Sequence, residues 1–449
     1  MAQIINLRNN ASLNKVRSKY ILAQIFDNLQ QEKKIEIVRY NKNFRKLLKI
    51  RITDYRKAFS KIEIDIIPKE NEFGRFIHIP NTTNNSNYNI YFNDNKKEDI
   101  KRMVINENDN VKKIKVILNH KIKSLYGLFL NCKCIKKIKF IKFNRSNIKN
   151  MSLMFYGCTS LEELDISNLN TNKITNMRCM FYRCLSLKQL DVSNFNTDFV
   201  SDMSFMFNRC SSLPELNLSN FNTKNVINMR YMFSGCILLK NLNISNFNTD
   251  NLILMNHMFY DCSSIAELNL SSFNTTKVTH MNSLFNGCSS LLNLNITNFN
   301  TINVVNMSYM FSRCLSLQEL NISNFNPINV SNMCSMFDFC PLLRELDLSN
   351  FNCSKVWNVS FMFNRCSSLK KLDLSKFNSD KVWNLTYMFH GCSSLKILNI
   401  SNFNILPIAN ISHIFDGCLS LKEVNCSNSL IMDEYLKHLN LLNSNKEIK

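Results

Sequence analysis

From Phe129 onward, apolar positions return in one fixed order every 26 residues. The best-formed unit reads L-x-x-L-x-L-S-N-F-N-T-x-x-V-x-N-M-x-x-M-F-x-x-C-x-S. Twelve cysteines hold one column without a slip, from Cys132, Cys158 and Cys184 to Cys418. A phenylalanine stands three residues before each of them, from Phe129 to Phe415. A fixed period of this length marks a solenoid, in which each repeat is one coil stacked on the next. In the L-x-x-L-x-L part, as in LPELNLSNFNT from Leu213, alternate side chains enter the core. Each coil is therefore predicted to contribute one short parallel strand. About twelve coils at roughly 4.8 Å each span on the order of 55–60 Å.

The flanks follow other patterns. Val16, Tyr20, Ile21, Ile25, Phe26 and Leu29 fall at helical spacing, with Ser12 as a cap, and Ile35, Val38, Phe44, Leu47 and Leu48 form a second such set. KIEIDIIP (61–68) alternates like a strand ended by Pro68, and YNIYF (88–92) reads as a short strand in an Asn-rich stretch. VKKIKVIL (111–118) has the spacing of the strand motif, slightly out of register, and is read as an entry coil. The division expected is a basic N-terminal region over 1–110, a solenoid over 111–428, and a helical cap and tail over 429–449.

The segments NVINMRYMFSGC (225–236) and LQELNISNFN (317–326) closely resemble BspA-like leucine-rich repeats. Such repeats also occur in mycoplasma surface proteins and in protist families. The resemblance covers about two thirds of the chain. It implies a right-handed leucine-rich-repeat solenoid with one short strand per coil, and a role in binding proteins or surfaces, often in adhesion.

Charge separates two surfaces. The chain carries a net +21. Residues 1–150 hold 33 Lys+Arg against 13 Asp+Glu, a net +20, and residues 151–428 hold 19 against 18, a net +1. The basic third is expected to cap the array or to contact an anionic surface. Aromatic residues are not interleaved with its cations as single-strand binders require, so nucleic acid fits it least.

Seventeen cysteines do not form a disulfide framework here. Stacked equivalent side chains point the same way, and a bridge needs converging Cβ vectors. A ladder of free thiols packed as small apolar groups suits a reducing compartment. The chain shows no apolar leader and no run approaching 18 apolar residues, so a cytoplasmic location is expected, with the cell surface as the alternative. Sequons recur in one column from Asn217 to Asn425, where glycans would crowd a single face.

Candidate sites lie where columns are exposed or where the repeat is broken. One strand column holds Asp165, Asp191 and Asp347, and its neighbour holds Glu215, Glu319 and Glu345. Together they form an acidic-to-amide face, read as a soluble strand surface or as a site for a basic or polar partner. Lys113, Lys115, Lys137 and Lys139 stand where later coils carry acids and amides. They either discourage strand pairing at an exposed sheet end or meet an anionic partner. Trp357 and Trp383 share one column in adjacent coils, at a position held elsewhere by Thr175, Ser201, Thr279 and Ser331. They are read as local ridge packing or as a partner hot spot. The asparagine column from Asn144 and Asn170 to Asn404 is expected to bond backbone groups of neighbouring turns. Five glycines precede column cysteines, at a position expected to need positive φ.

No catalytic constellation, nucleotide fingerprint or metal-ligand set appears; Cys132-x-Cys134 lacks a second pair. The reading is a non-enzymatic, monomeric interaction scaffold without cofactor, whose partner is a protein. Two other readings stand beside it. SKYILAQIFDNLQQEKKIEIVRYNKNF (18–44) faintly resembles an F-box, through Leu22, Ile25, Phe26, Leu29 and Ile35, which implies a substrate adaptor. The repeat resemblance implies an exported adhesin.

Overall fold

The computed structural model describes residues 60–79, 87–95, 100–119, 122–143, 145 and 147–447, and residues 20, 21, 24 and 46 singly. Residues 20, 21, 24 and 46 are helical; the rest of the two helical patterns and of the F-box-like segment lies outside the described residues.

The chain is a leucine-rich-repeat solenoid. Its axis is marked by an unbroken stack of twelve phenylalanines, from Phe129 through Phe155, Phe181 and Phe207 to Phe415. Neighbouring rings lie 5.5–6.1 Å apart and nearly parallel. The rings, the methionine column from Met154 to Met388 and the ladder cysteines are all buried. The 26-residue period produces this, because equivalent side chains fall above one another on every coil.

Short parallel strands line one side of the coils. The sheets contain β1 (Ile62–Pro68), β2 (Gly74–Arg75), β3 (Tyr88–Phe92), β4 (Val104–Ile105), β5 (Ile114–Leu118), β6 (Ile135–Phe143) and β7 (Glu163–Asp165). They continue with β8 (Glu215–Asn217), β9 (Asn241–Asn243), β10 (Glu267–Asn269), β11 (Asn293–Asn295), β12 (Lys371–Asp373), β13 (Ile397–Ile400) and β14 (Glu423–Cys426). β8 pairs with β9, β10 with β11, β12 with β13, and β13 with β14, all parallel and all offset by 26 residues. A second parallel ladder of single bridges joins Asn150, Asn176, Asp202 and their successors to Asn410, one residue in each of eleven coils. Helix α1 (Ser429–Glu447) follows the last coil. Its Tyr435 packs edge-on against Phe415 at 5.9 Å, and His438 Nε2 meets the carbonyl of Cys418 at 3.1 Å.

The array begins differently from expectation. The IKVIL end of VKKIKVIL forms β5, but β5 pairs antiparallel with β1 and β3. β1 inserts between β5 and β6, antiparallel to both, and β6 then pairs parallel with β7. The parallel ladder thus starts at β6. Alternation of apolar residues makes a strand of either sense. Direction is set here by β1, whose Ile62, Ile64 and Ile66 are fully buried in this sheet.

The bends are held by two polar columns. Thr171, Thr197, Thr223, Thr249, Thr275 and Thr301 are buried. Thr197 Oγ1 donates to the carbonyl of Asn222 and accepts from its N–H, which closes one coil on the next. The asparagine column from Asn170 to Asn404 does less than expected across coils. Asn196 Oδ1 accepts the N–H of Asp198, two residues on, as Asn170 does for Asn172. The column two residues earlier reaches the neighbouring backbone instead. Asn220 Nδ2 donates to the carbonyls of Val192 and Phe195. In the column from Asn170 to Asn404, Oδ1 is used within its own turn, and Nδ2, where it reaches the neighbouring coil, meets a side chain: Asn222 Nδ2 donates to Asp198 Oδ1 and Asn274 Nδ2 to Asp250 Oδ1.

The position before each ladder cysteine is left-handed, as expected. It holds Gly157, Gly235, Gly287, Gly391 and Gly417 at φ from 70° to 78°, and Arg183, Arg209, Arg313 and Arg365 near 58°.

Candidate functional site

The strand face is built by side chains that alternate out of the core. Its aspartates are partly committed to the turn beneath them. Asp165 Oδ1 accepts from Ser167, Asp191 Oδ1 from the Ser193 N–H, and Asp347 Oδ1 from the Ser349 N–H. Hydrogen bonds from Lys139 and Ser167 hold the Asp165 carboxyl down at about 2. The bonds from Ser193 and Ser349 lower Asp191 and Asp347 in the same way. Glu215, Glu319 and Glu345 stand exposed beside them. An open groove crosses this face between Gln189, Glu215, Asn241 and Leu238.

The entry lysines all find acids. Lys113 pairs with Asp65 at 3.1 Å and Lys115 with Glu63 at 3.4 Å, both acids on β1. Lys137 pairs with Glu163, and Lys139 with Asp165 at 2.9 Å, across the β6–β7 register. Each exposed pair is worth little by itself, about 0–1 kcal/mol. Their joint effect is to match a basic strand to acidic neighbours on both sides. Neither β5 nor β6 is a free edge, because β1 lies between them.

Trp357 and Trp383 stack face to face, with ring centroids 5.6 Å apart and planes 9° apart. They remain 37% and 45% exposed. Their backbones belong to the second ladder: Trp357 N–H donates to the Ser331 carbonyl at 3.0 Å, and Trp383 N–H to the Trp357 carbonyl at 3.1 Å. That ladder fixes the two indoles one coil apart.

Among the described residues no group of three or more His, Cys, Asp or Glu side chains could hold a metal ion. No helix among them is long and apolar enough to cross a membrane.

The family described as "Mycoplasma protein of unknown function, DUF285" matches residues 92–213, 123–240, 188–268, 212–319, 255–345 and 340–447. The chain belongs to this family. Its repeats are of the BspA-like leucine-rich type. A leucine-rich cell surface protein from Faecalibacterium prausnitzii is 18% identical over 70% of this chain and 84% of its own, with a TM-score of 0.39. A leucine-rich repeat protein from Bacteroides ovatus is 18% identical over 75% of this chain and 92% of its own, also with a TM-score of 0.39. No curated protein matches the chain.

The DUF285 array carries three features that the reading of its columns passed over. First, the tryptophan ridge is not otherwise polar. Ile227, Ile253 and Val305 share the column and are 46%, 41% and 39% exposed. Second, the ladder thiols are hydrogen-bond donors as well as apolar filler. Cys158 Sγ donates to the Phe129 carbonyl and Cys210 Sγ to the Phe181 carbonyl, each at 3.1 Å. Third, the column just before the strand turns basic near the C-terminal end, through Arg344, Lys370, Lys396 and Lys422. Each signal was present in the columns. The ridge was hidden by its alternation with Thr and Ser, and the basic run by the near-neutral charge of the whole array.

Proposed function

We propose that this DUF285 protein is a non-enzymatic scaffold that binds a protein partner through the Trp357–Trp383 ridge. The observation that carries the reading is the stacked, exposed indole pair. Exposed indole surface is costly in water, and tryptophans dominate the energetics of protein contacts. The second ladder fixes both backbones and the rings stack on each other, which limits the conformational freedom lost on docking. The same column extends the apolar surface through Ile227, Ile253 and Val305 toward the N-terminal end. An apolar groove on the partner fits such a ridge. All seventeen thiols are unpaired, which supports a reducing compartment as its place of work.

The test is crosslinked affinity capture with the whole chain, Trp357→Ala/Trp383→Ala, and Glu215→Gln/Glu319→Gln as the strand-face control. The tryptophan variant is expected to lose a partner that the control keeps. Retention by the tryptophan variant with loss by the control would move the site to the strand face. Equal capture by all three would remove both surfaces.

A further inference from the structure

Four cations stand above one another on successive coils at the C-terminal end of the strand face: Arg344, Lys370, Lys396 and Lys422. All four are exposed. Main-chain bonds stack Lys370, Lys396 and Lys422 on one another, and Arg344 on Gln318 of the coil before it. Arg344 N–H donates to the Gln318 carbonyl at 3.2 Å, Lys396 N–H to the Lys370 carbonyl at 2.9 Å, and Lys422 N–H to the Lys396 carbonyl at 3.0 Å. Their backbones therefore recur at about 4.8 Å. Lys371, on β12 in the next column, adds a fifth exposed cation.

Like charges directly opposite one another in a sheet are destabilising. The entry of this array avoids that arrangement. There each of Lys113, Lys115, Lys137 and Lys139 meets a carboxylate across the strands. At the C-terminal end no ion pair among the described residues involves Arg344, Lys370, Lys371, Lys396 or Lys422; the pairs formed there are His413–Asp416 and Lys437–Glu434. One molecule thus handles the same geometry in two ways. The row has acidic neighbours, and Lys371 acts on the Asp373 carboxyl, but none of its cations closes an ion pair among the described residues, so each stays open to a counter-charge from outside.

We propose that this row docks a helix of a partner protein that carries acidic residues at three- and four-residue spacing. Such side chains recur about every 5.4 Å along a helix face, close to the coil spacing of about 4.8 Å. Same-face side chains of an extended strand recur at about 6.6–6.8 Å and fall out of step within two coils. Glu345, Asp347, Asp373 and Glu423 flank the row. They repel a uniform polyanion, whereas a helix with one acidic stripe and neutral or basic flanks matches both columns. No aromatic residue stands in the strand columns of these four coils to stack a base.

The test uses the whole chain and a labelled, helix-forming peptide of about 20 residues with Glu at i, i+3 and i+4 on one face and Ala and Lys elsewhere. Lys370→Gln/Lys396→Gln/Lys422→Gln is compared with the parent by fluorescence anisotropy. A sulfated polysaccharide and a single-stranded oligonucleotide are run in parallel. Affinity for the peptide is expected to weaken about tenfold in the variant and to fall with salt in the parent. A Gln-for-Glu peptide is expected not to bind. Absence of peptide binding to the parent would overturn the proposal. So would equal binding by parent and variant, which would assign the contact to the basic first 150 residues. Loss of only the polysaccharide or the oligonucleotide in the variant would assign the row to a polyanion instead. The variant is expected to melt at or above the parent's temperature, because like-charge repulsion is relieved. A lower melting temperature would show that the row stabilises the coils and would overturn the argument from unmet charge.

Discussion

The thiol of Cys262 donates a hydrogen bond to the carbonyl oxygen of Phe233, one coil earlier, at 3.2 Å. That carbonyl also accepts the N–H of Cys236 within its own coil at 3.1 Å. The side chain therefore uses the oxygen's second lone pair to tie one coil to the next. The same contact recurs in every coil from Cys158 to Cys418. Cys262→Ala removes this bond and one buried sulfur, but leaves the carbonyl one partner. A loss of about 1–2 kcal/mol is expected by chemical denaturation. Cys262→Val keeps volume but adds a branch and no donor, and is expected to be at least as damaging. An unchanged midpoint in both variants would reduce the ladder to filler.

The thiols also set an alkaline limit. Burial pushes Cys236, Cys288, Cys340 and Cys418 up to about 12. An unfolded cysteine ionises near 8.5. Between these values the unfolded chain has released protons that the folded chain retains, so stability falls as pH rises; it is fully present below about 8.5. Each such thiol loses about 1.4 kcal/mol per pH unit in that window. Several together approach the roughly 5–15 kcal/mol that holds a domain folded. Far-ultraviolet circular dichroism is expected to show cooperative loss of structure between about pH 9 and 11. Replacing Cys236, Cys262 and Cys288 with alanine is expected to flatten this pH dependence, and the same slope in the variant would assign the transition to other groups.

Phe259 tests the core. It is fully buried and stacks on Phe233 at 5.6 Å and on Phe285 at 5.8 Å. Phe259→Ala opens a gap in mid-stack that neighbouring coils, tied by two ladders, cannot close. The expected loss is about 3–5 kcal/mol, with exposed apolar surface that binds a hydrophobic dye. A thermal midpoint equal to the parent's would contradict the core assignment.

How much was legible depended on what repeats. The Phe129–Phe415 stack, the buried ladder and the left-handed site before each cysteine follow from period and composition alone. The period also aligned Trp357 with Trp383. The sense of β5 was not legible, because Ile114, Val116 and Leu118 alternate alike in parallel and antiparallel strands. Its partner, β1, lies outside the repeat. The thiol bond was hidden because a buried cysteine packs the same way with or without an acceptor. The acids that meet Lys113 and Lys115 sit about 50 residues away, on β1, and only the register brings them together.

His257 gives an acid-side signature. It stacks on Tyr231 at 4.2 Å, and Asn282 Nδ2 lies 2.9 Å from its Nε2, which accepts that amide hydrogen in the neutral ring. Burial lowers this imidazole to about 4. An unfolded histidine takes up its proton near 6.5, so the neutral ring's contribution is present above that pH and is lost as pH falls toward 4. After allowance for partial exposure, about 2 kcal/mol of stability is expected to disappear between pH 6.5 and 4. His257→Gln keeps an acceptor near Asn282 and should remove most of that dependence. An identical acid profile for the variant would show that His257 is not the group responsible.

Gly287 and Asp261 occupy the same left-handed column on adjacent coils. A Cβ added at Gly287, at φ 78°, would lie 2.1 Å from Asp261 Oδ1 and 3.3 Å from its Cα. The carboxylate therefore fills the space that the missing side chain leaves. Gly287→Ala has two costs: the left-handed backbone, about 1 kcal/mol, and displacement of a partly buried carboxylate. Arginines tolerate the same backbone at Arg209 and Arg313, so the second cost should decide the outcome. Asp261→Ala removes the colliding oxygen and leaves only the backbone cost to the second substitution. The double variant is expected to be more stable than the sum of the singles by about 1 kcal/mol, measured as a coupling energy in denaturant. Additive losses would mean that the Asp261 carboxylate swings clear into solvent and does not need the glycine.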